Sequence, residues 1–223
     1  KANKDASWRE FKVKLDKLNS SGALFDMVKL TDVSKEVISR MNTETLLNNV
    51  LEWSKQYDNE LYDLLNSDLD YARKILGIER ENVTKIRKDF AKYKDILPNI
   101  FYMYNDLFNE NVAGGYNFDL KDGKFDIQDV KAVITEYLKV YDASQDKETW
   151  FNTVKAMAET LGYCVNMKEY KANPEAFKGS IADVTGFIRV ALTNKQNTPD
   201  IYAIMQVLGE ARTKERLEGV LEI

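Results

Sequence analysis

Apolar residues return every three or four positions along most of this chain, which is the spacing that places them on one face of an α-helix. The pattern is clear at Leu46, Leu47, Val50, Leu51 and Trp53. Only three prolines and ten glycines interrupt the 223 residues, and most of them stand where a helix would end. The sequence therefore predicts an all-α fold.

Similar apolar stripes predict the remaining helices. They cover residues 59–65, 69–76, 90–108, 130–138, 150–161 and 212–221. Pro98 should bend or break the stripe in which it lies, because proline cannot donate the backbone hydrogen bond of a helix. Strand signals are scarce. Phe11, Val13 and Leu15 alternate with charged residues, which fits a short strand or an extended edge near the N-terminus.

Capping residues predict where three of the helices begin. Thr43 is the predicted N-cap of the helix that carries the first apolar stripe. Ser180 and Asp183 resemble a capping box, although aspartate takes the place of the usual glutamate or glutamine. Thr198 followed by Pro199 predicts a further helix, with the proline at its first position.

Residues 109–124 are the least periodic part of the chain and contain three glycines, so they are the best linker candidate. We therefore expect two helical-bundle subdomains, joined between residues 109 and 147. The same stretch superficially resembles a calcium loop. With Gly123 at loop position 6, however, Phe118 and Leu120 would occupy positions 1 and 3, where oxygen ligands are required. The calcium interpretation fails on this spacing.

The composition offers no catalytic set. The chain has no histidine, so the common general base and the serine or cysteine triads are missing. Cys164 is the only cysteine and is expected to be a small buried residue. Asp126 and Asp129 are expected to lie on a solvated helix face. No glycine-rich phosphate-binding motif is found.

Several observations favour a cytoplasmic protein. No apolar run approaches the roughly 18–20 residues that a membrane-spanning helix needs. The first twelve residues lack the apolar segment of a signal peptide. A single cysteine suits a reducing compartment.

Charge is unevenly distributed along the chain. The formal net charge is −4, but residues 73–94 hold eight Lys and Arg against three Asp and Glu, a net charge of +5. Residues 105–151 hold five Lys against ten Asp and Glu, a net charge of −5. A local positive face is what a phosphate backbone requires. The basic stretch therefore permits RNA binding, and a solvated helix face explains it equally well.

The segment Phe187–Leu217 carries the most specific signal. It contains RVALT at residues 189–193, then Pro199, then a VLG element that ends at Gly209. This order resembles the C-terminal anticodon-binding region of bacterial glutamyl-tRNA synthetases, a family of class I aminoacyl-tRNA synthetases. Asn194 departs from the family pattern, which has glycine after RVALT, so the local turn is open to question.

Two other segments carry the same resemblance. Residues 150–179 contain the tryptophan, the LGY turn and the YKANPEAFKG loop, and residues 11–41 are similar to the region that follows the lysine loop in clostridial-type members. The resemblance implies a stem-contact and first helical anticodon-binding subdomain at 1–110. A linker and connecting helix would then occupy 111–146, and a C-terminal helical anticodon-binding subdomain 147–223.

The family's HIGH-type and KMSKS-type motifs are missing from the chain. The resemblance therefore implies a tRNA-binding fragment of a glutamate–tRNA ligase that is inactive alone and holds no cofactor. ATP and Mg²⁺ would belong to the catalytic Rossmann domain of the parent enzyme. The implied partner is tRNA(Glu), with no DNA or membrane partner and a monomeric state.

We expect the RNA contacts to come from arginines and lysines, because a guanidinium suits base edges and an ammonium suits phosphates. Candidates for the anticodon end are Arg189, Lys195, Arg212, Lys214 and Arg216, and candidates for the tRNA stem side are Lys35, Arg40, Arg87 and Lys88. Interhelical ion pairs and solvated side chains remain the alternatives for these residues. Tyr163, Tyr170 and Tyr202 could stack on bases, but aromatic residues at helical spacing usually belong to a core.

Two other functions stay open. An all-helical protein-interaction scaffold with no RNA role would also lack catalytic residues, and it would present a large exposed apolar groove. A truncated synthetase relative that modifies tRNA fits less well, because such proteins resemble the catalytic part of the family.

Overall fold

The computed structural model describes residues 12, 14, 16, 25–81, 83, 84 and 86–223, and the regular secondary structure of this part of the chain is almost entirely helical. Its α-helices are α1 Met27–Ser39, α2 Thr43–Tyr57, α3 Asn59–Ser67, α4 Leu69–Gly77, α5 Leu97–Ile100, α6 Asn105–Val112, α7 Ile127–Val140, α8 Lys147–Thr160, α9 Met167–Ala172, α10 Ile181–Thr193, α11 Ile201–Leu208 and α12 Glu210–Leu221. The predicted all-α fold is confirmed. The alternating residues 11, 13 and 15 lie outside the described residues.

One two-residue strand pair is present in the described residues. Strand β1, Tyr163–Cys164, runs parallel to β2, Gly179–Ser180. Gly179 packs directly on aromatic rings: a Cβ at this position would lie 2.7 Å from Cζ of Phe125 and 2.9 Å from the ring of Tyr163. Cys164 is buried, as predicted.

Most of the described α-helices begin after a residue whose side chain accepts a hydrogen bond from a backbone N–H group in the first turn of the helix. The predicted capping box of α10 is confirmed, since a carboxylate oxygen of Asp183 accepts from the backbone N–H of Ser180 at 2.8 Å. The other two predicted caps were wrong. Asn42 caps α2 by accepting from Thr45 N–H at 2.8 Å, and Asp200 caps α11 by accepting from Ala203 N–H at 3.0 Å.

The stripe around Pro98 forms no continuous helix. It is divided into four short elements: a 3-10 turn at Tyr93–Asp95, the four-residue α5, a second 3-10 turn at Phe101–Met103, and α6. Pro98 lies in the first turn of α5, where its missing N–H costs least. This broken path brings Asn99, Tyr102 and Met103 beside the C-terminal helices.

A single hydrophobic cluster extends from Ile38 in α1 to Val220 in α12. Helices α2, α3 and α4 pack on one another, and α7 contacts α8, α10 and α12. Helix α4 also contacts α11, so the core passes from one half of the chain to the other. The subdomain limits at residues 110 and 147 stay predictions. None of the described helices combines the length and the apolar composition needed to cross a membrane.

Candidate nucleic-acid interface

The connection between α10 and α11, residues 194–200, is the centre of the candidate site. Asn194 ends α10 in the left-handed conformation, with φ 51° and ψ 23°. Loop residues then contact several separate parts of the chain, among them residues 111–117, the turn at Pro98–Asn99, and Arg189 in the preceding helix. We call this connection the α10–α11 loop.

A cavity of about 90 Å³ opens between the α10–α11 loop and the end of α4. Its polar lining consists of Glu79, Arg80, Arg87, Asp89, Asn99, Asn197 and Thr198. Ile75, Ile100, Tyr102 and Met103 provide apolar walls. We call this cavity the loop pocket. It joins residues from the basic stretch with residues more than a hundred positions further along the chain.

Arg87 faces the loop pocket as one half of an ion pair. Its Nε donates to one carboxylate oxygen of Asp89 at 2.8 Å, and its Nη2 donates to the other at 2.9 Å. The hydrogen bond to Asp89 raises the pKa of the Arg87 guanidinium. Both side chains are about 30% exposed, so the pair presents both a charged donor edge and an acceptor edge to the pocket.

Arg189 supports the opposite wall. Its Nη1 donates to the carbonyl of Pro199 at 2.8 Å and also to the hydroxyl and carbonyl of Thr198. The Thr198 hydroxyl is engaged here, and α11 begins only after Asp200, whose carboxylate caps it. Burial, and to a smaller degree the nearby charge of Arg87, lowers the pKa of the Arg189 guanidinium.

Arg189 also borders a second, larger hollow. This cavity of about 500 Å³ lies between α8, α10 and α11, and Trp150, Phe151 and Ile201 supply its apolar surface. At its rim, Lys147 pairs with Asp200 at 2.9 Å. Arg189 thus lines this second hollow and also bonds to Thr198 and Pro199, which line the loop pocket.

Lys195 is engaged within the protein. Its Nζ donates to the carbonyl of Pro98 at 2.9 Å and to Oδ1 of Asn99 at 3.1 Å. The same Nζ lies 6.0 Å from the centroid of the Phe101 ring. Burial lowers the pKa of this ammonium group. Lys195 consequently fixes the α10–α11 loop on the turn at residues 98–99.

Arg216 is an internal clamp and is only 4% exposed. Its Nη1 donates to the carbonyls of Tyr102 at 2.6 Å and Leu192 at 2.7 Å, while Nη2 donates to Oδ1 of Asn105 at 2.9 Å. Burial lowers the pKa of Arg216 to about 10, which leaves it charged at neutral pH. A buried charge is tolerated only with such partners, so we leave Arg216 out of the proposed RNA surface.

Arg212 has a similar internal role. Its Nε donates to the carbonyl of Leu208 at 2.7 Å, and its Nη1 donates to the phenol oxygen of Tyr71 at 2.9 Å. Lys214, two residues further along α12, forms an ion pair with Glu210 at 2.6 Å. Neither Arg212 nor Lys214 lines the loop pocket.

The remaining candidates gather at α1. Glu36 accepts from Arg40 at 2.7 Å and also pairs with Lys88. Both contacts lower the pKa of the Glu36 carboxyl, and the contact with Lys88 has the larger effect. The Arg40 side chain is 71% exposed, while Lys35 is partly exposed on the same helix. Arg40, Lys88 and Lys35 are accessible cations, and we call them the α1 cations.

The tyrosines differ in accessibility. Tyr163 is buried, the Tyr202 hydroxyl donates to the carbonyl of Gln145 at 2.9 Å, and the Tyr170 hydroxyl accepts from Lys124 at 2.9 Å. Asp126 caps α7 by accepting from the N–H groups of Gln128 and Asp129. No cluster of His, Cys, Asp and Glu suited to a metal ion occurs among the described residues.

Sequence reasoning missed several residues of the site. Glu79, Asp89, Asn99 and Asn197 line the loop pocket, yet none belongs to a capping or periodic pattern. Arg80 was visible only as part of the basic stretch. It donates to the carbonyls of Ile38 at 3.0 Å and Met41 at 3.1 Å, and so holds the end of α1 against α4.

The described residues thus form a helical domain in which charged and amide side chains gather at one small pocket. The sequence profile of the anticodon binding domain family matches residues 45–221. The chain belongs to this family, and the resemblance noted from the motifs is confirmed.

Relatives cover the whole length of the chain. It is 42% identical over 221 residues to the glutamate–tRNA ligase of Clostridium perfringens strain SM101 and 40% identical over 222 residues to that of Clostridium beijerinckii. The glutamate–tRNA ligase of Sorangium cellulosum is 36% identical over 221 residues. Each match covers 99% of this chain but only 38–39% of the relative.

Proposed function

We propose that this chain is the tRNA-binding part of a glutamate–tRNA ligase and that the loop pocket recognises the anticodon of tRNA(Glu). The observation that carries the proposal is the meeting of Arg87 and the Arg189-supported loop at one polar cavity, within a domain of the anticodon-binding family.

The chemistry of the pocket suits an unstacked base. Loop nucleotides are recognised by hydrogen bonds along their edges and by stacking on planar groups. The Arg87–Asp89 pair offers donors and acceptors side by side, and Asn197 adds an exposed amide that can do both. The amide of Asn99 is already bonded to Lys195 and to the carbonyl of Asp95. The second hollow, lined by Trp150 and Phe151, offers apolar surface on the other side of Arg189.

The α1 cations supply the second half of the proposal. None of them lines the loop pocket. Lys35 lies in α1 and Arg40 directly follows this helix, and both lie outside the family match. Point charges of this kind bind phosphates without regard to sequence. We assign Lys35, Arg40 and Lys88 to the tRNA backbone on the stem side.

The full-length enzyme would join glutamate to tRNA(Glu) with ATP and Mg²⁺ bound elsewhere in the polypeptide, in the cytoplasm. This chain by itself would bind tRNA without catalysing a reaction.

The test is binding of the chain to tRNA(Glu) and to the same tRNA with a changed anticodon, at two salt concentrations. We expect tighter binding of tRNA(Glu). Arg87→Ala should reduce the preference by about 1–3 kcal/mol, the range for hydrogen bonds that involve a charged group. Arg189→Ala should also reduce it, because the loop wall formed by Thr198 and Pro199 loses its support. Lys139→Ala, an exposed lysine on α7, is the control and should change nothing.

Equal binding of the two tRNAs would contradict anticodon recognition and leave a phosphate-binding module. If neither the chain nor the full-length ligase bound tRNA, the interaction-scaffold alternative would take its place.

A further inference from the structure

Asn194 has a backbone conformation that few side chains tolerate and a side chain that is almost fully buried. Its φ of 51° is left-handed, and the residue is only 4% exposed. The turn itself requires no side chain, since glycine adopts this conformation most readily. The burial of the amide therefore points to a separate role for the side chain.

The Asn194 amide makes three hydrogen bonds to one short segment. Its Oδ1 accepts from the backbone N–H of Asn117 at 2.7 Å, and its Nδ2 donates to Oδ1 of Asn111 at 2.7 Å and to the carbonyl of Gly115 at 3.1 Å. A backbone N–H can only donate and a carbonyl can only accept. These two partners fix which end of the amide carries the oxygen.

Neighbouring residues connect this anchor to the loop pocket. Gln196 donates to the carbonyl of Asn117 at 3.3 Å, while Lys195 bonds to the 98–99 turn on the other side. Thr198 and Pro199 then line the pocket and hold Arg189. The start of the α10–α11 loop is thus held between two segments that are distant in sequence, and Asn194 supplies most of one attachment.

We propose that Asn194 is a positioning residue for anticodon recognition: its side chain locks the α10–α11 loop to residues 111–117 and so fixes the wall of the loop pocket. This inference rests on the proposed function. The residue acts through the loop and need not touch RNA. Its loss should weaken discrimination between anticodons, which depends on pocket geometry, more than attraction to phosphates, which depends on charge.

The first variant is Asn194→Gly, which keeps the left-handed turn and removes all three side-chain bonds. We expect the ratio of dissociation constants for tRNA(Glu) and the anticodon-changed tRNA to fall by about tenfold, the effect of losing roughly 1.4 kcal/mol of ordering interactions. The dependence of binding on salt should stay the same, because no cation is altered.

Two variants on α6 form a matched pair. Asn111→Ala removes one of the three bonds and should reduce the ratio by a smaller factor. Asn109→Ala alters an exposed asparagine on the same helix whose side chain makes no hydrogen bond among the described residues, and it should leave the ratio unchanged. Circular dichroism establishes that each variant is folded, and the milder Asn111→Ala keeps the test valid if Asn194→Gly unfolds.

The outcomes separate the two proposals. If wild type discriminates and both Asn194→Gly and Asn111→Ala discriminate equally well, the positioning role is overturned while the proposed function stands. A parallel loss of affinity for both tRNAs with an unchanged ratio also overturns it, since that is the effect of general destabilisation. If wild type itself does not discriminate, the proposed function fails first.

Discussion

The guanidinium of Arg212 lies over the ring of Tyr71, with its Cζ 4.9 Å from the ring centroid, and donates to the phenol oxygen of the same residue at 2.9 Å. That phenol in turn donates to the carbonyl of Met103 at 2.6 Å. Three regions of the chain, α4, the second 3-10 turn and α12, therefore meet at one hydroxyl group.

Tyr71→Phe removes this hydroxyl and keeps the ring. We expect the free energy of unfolding to fall by about 1–2 kcal/mol, because the Met103 carbonyl and one Arg212 nitrogen lose a partner in a half-buried place. Urea unfolding measures the change. Tyr62→Phe is the control, since the Tyr62 hydroxyl makes no hydrogen bond among the described residues, and an equal effect there would contradict the assignment.

Arg216→Met tests the internal clamp. The variant leaves the carbonyls of Tyr102 and Leu192 without their donor, so unfolding should become easier by about 3 kcal/mol. Lys214→Met on the same helix alters a side chain whose ion pair lies at the surface and should leave the stability almost unchanged. Thermal unfolding distinguishes them. Comparable losses in both variants would show that Arg216 is not specially engaged.

Two glycines should respond to alanine in opposite directions. Gly179→Ala forces a methyl group against Phe125 and Tyr163 and should destabilise the protein by about 1–3 kcal/mol. Gly186 lies inside α10, and a Cβ at this position would meet no atom of another element within 4 Å. Gly186→Ala should therefore stabilise the protein by about 0.5–1 kcal/mol. Destabilisation by both substitutions, measured by urea unfolding, would contradict the open surroundings of Gly186.

Lys88→Ala should weaken binding of cognate and anticodon-changed tRNA by the same factor. Removal of one phosphate contact should reduce the slope of log K against log salt by about 1. Titrations at four salt concentrations measure this slope, with Lys139→Ala as the control. An unchanged slope would place Lys88 away from the RNA, with Glu36 as its only relevant partner.

Local patterns explain what the sequence could predict. The helices of the described region follow from apolar spacing, and the Ser180–Asp183 capping box follows from two residues three positions apart. The cap expected at Thr198 was wrong because α11 begins two residues later, where the carboxylate of Asp200 accepts from Ala203 N–H. The Thr198 hydroxyl instead accepts from Arg189, nine positions earlier. Local spacing contains no information about this contact.

The arginines show more clearly what sequence patterns cannot predict. Arg189, Arg212 and Arg216 look alike in sequence, and each is a plausible RNA ligand. Arg216 is committed to the carbonyl of Tyr102, 114 residues away, and Arg212 to Tyr71, 141 residues away. Only the packing of α12 on the first half of the chain decides which guanidinium is left for a base. Asn194 could be flagged as a departure from the family pattern, but its three partners could not be foreseen.

Helix α12 leaves the ribosome after every other described helix, and it carries both guanidinium groups that bond to the turn at residues 101–103. Before α12 is made, the carbonyls of Tyr102, Met103 and Leu192 lack the hydrogen bonds that Arg212 and Arg216 donate in the folded protein. Leu217 and Val220 are likewise absent from the core. A nascent chain interrupted before α12 would therefore be an incompletely folded substrate for proteases rather than a competitor for tRNA.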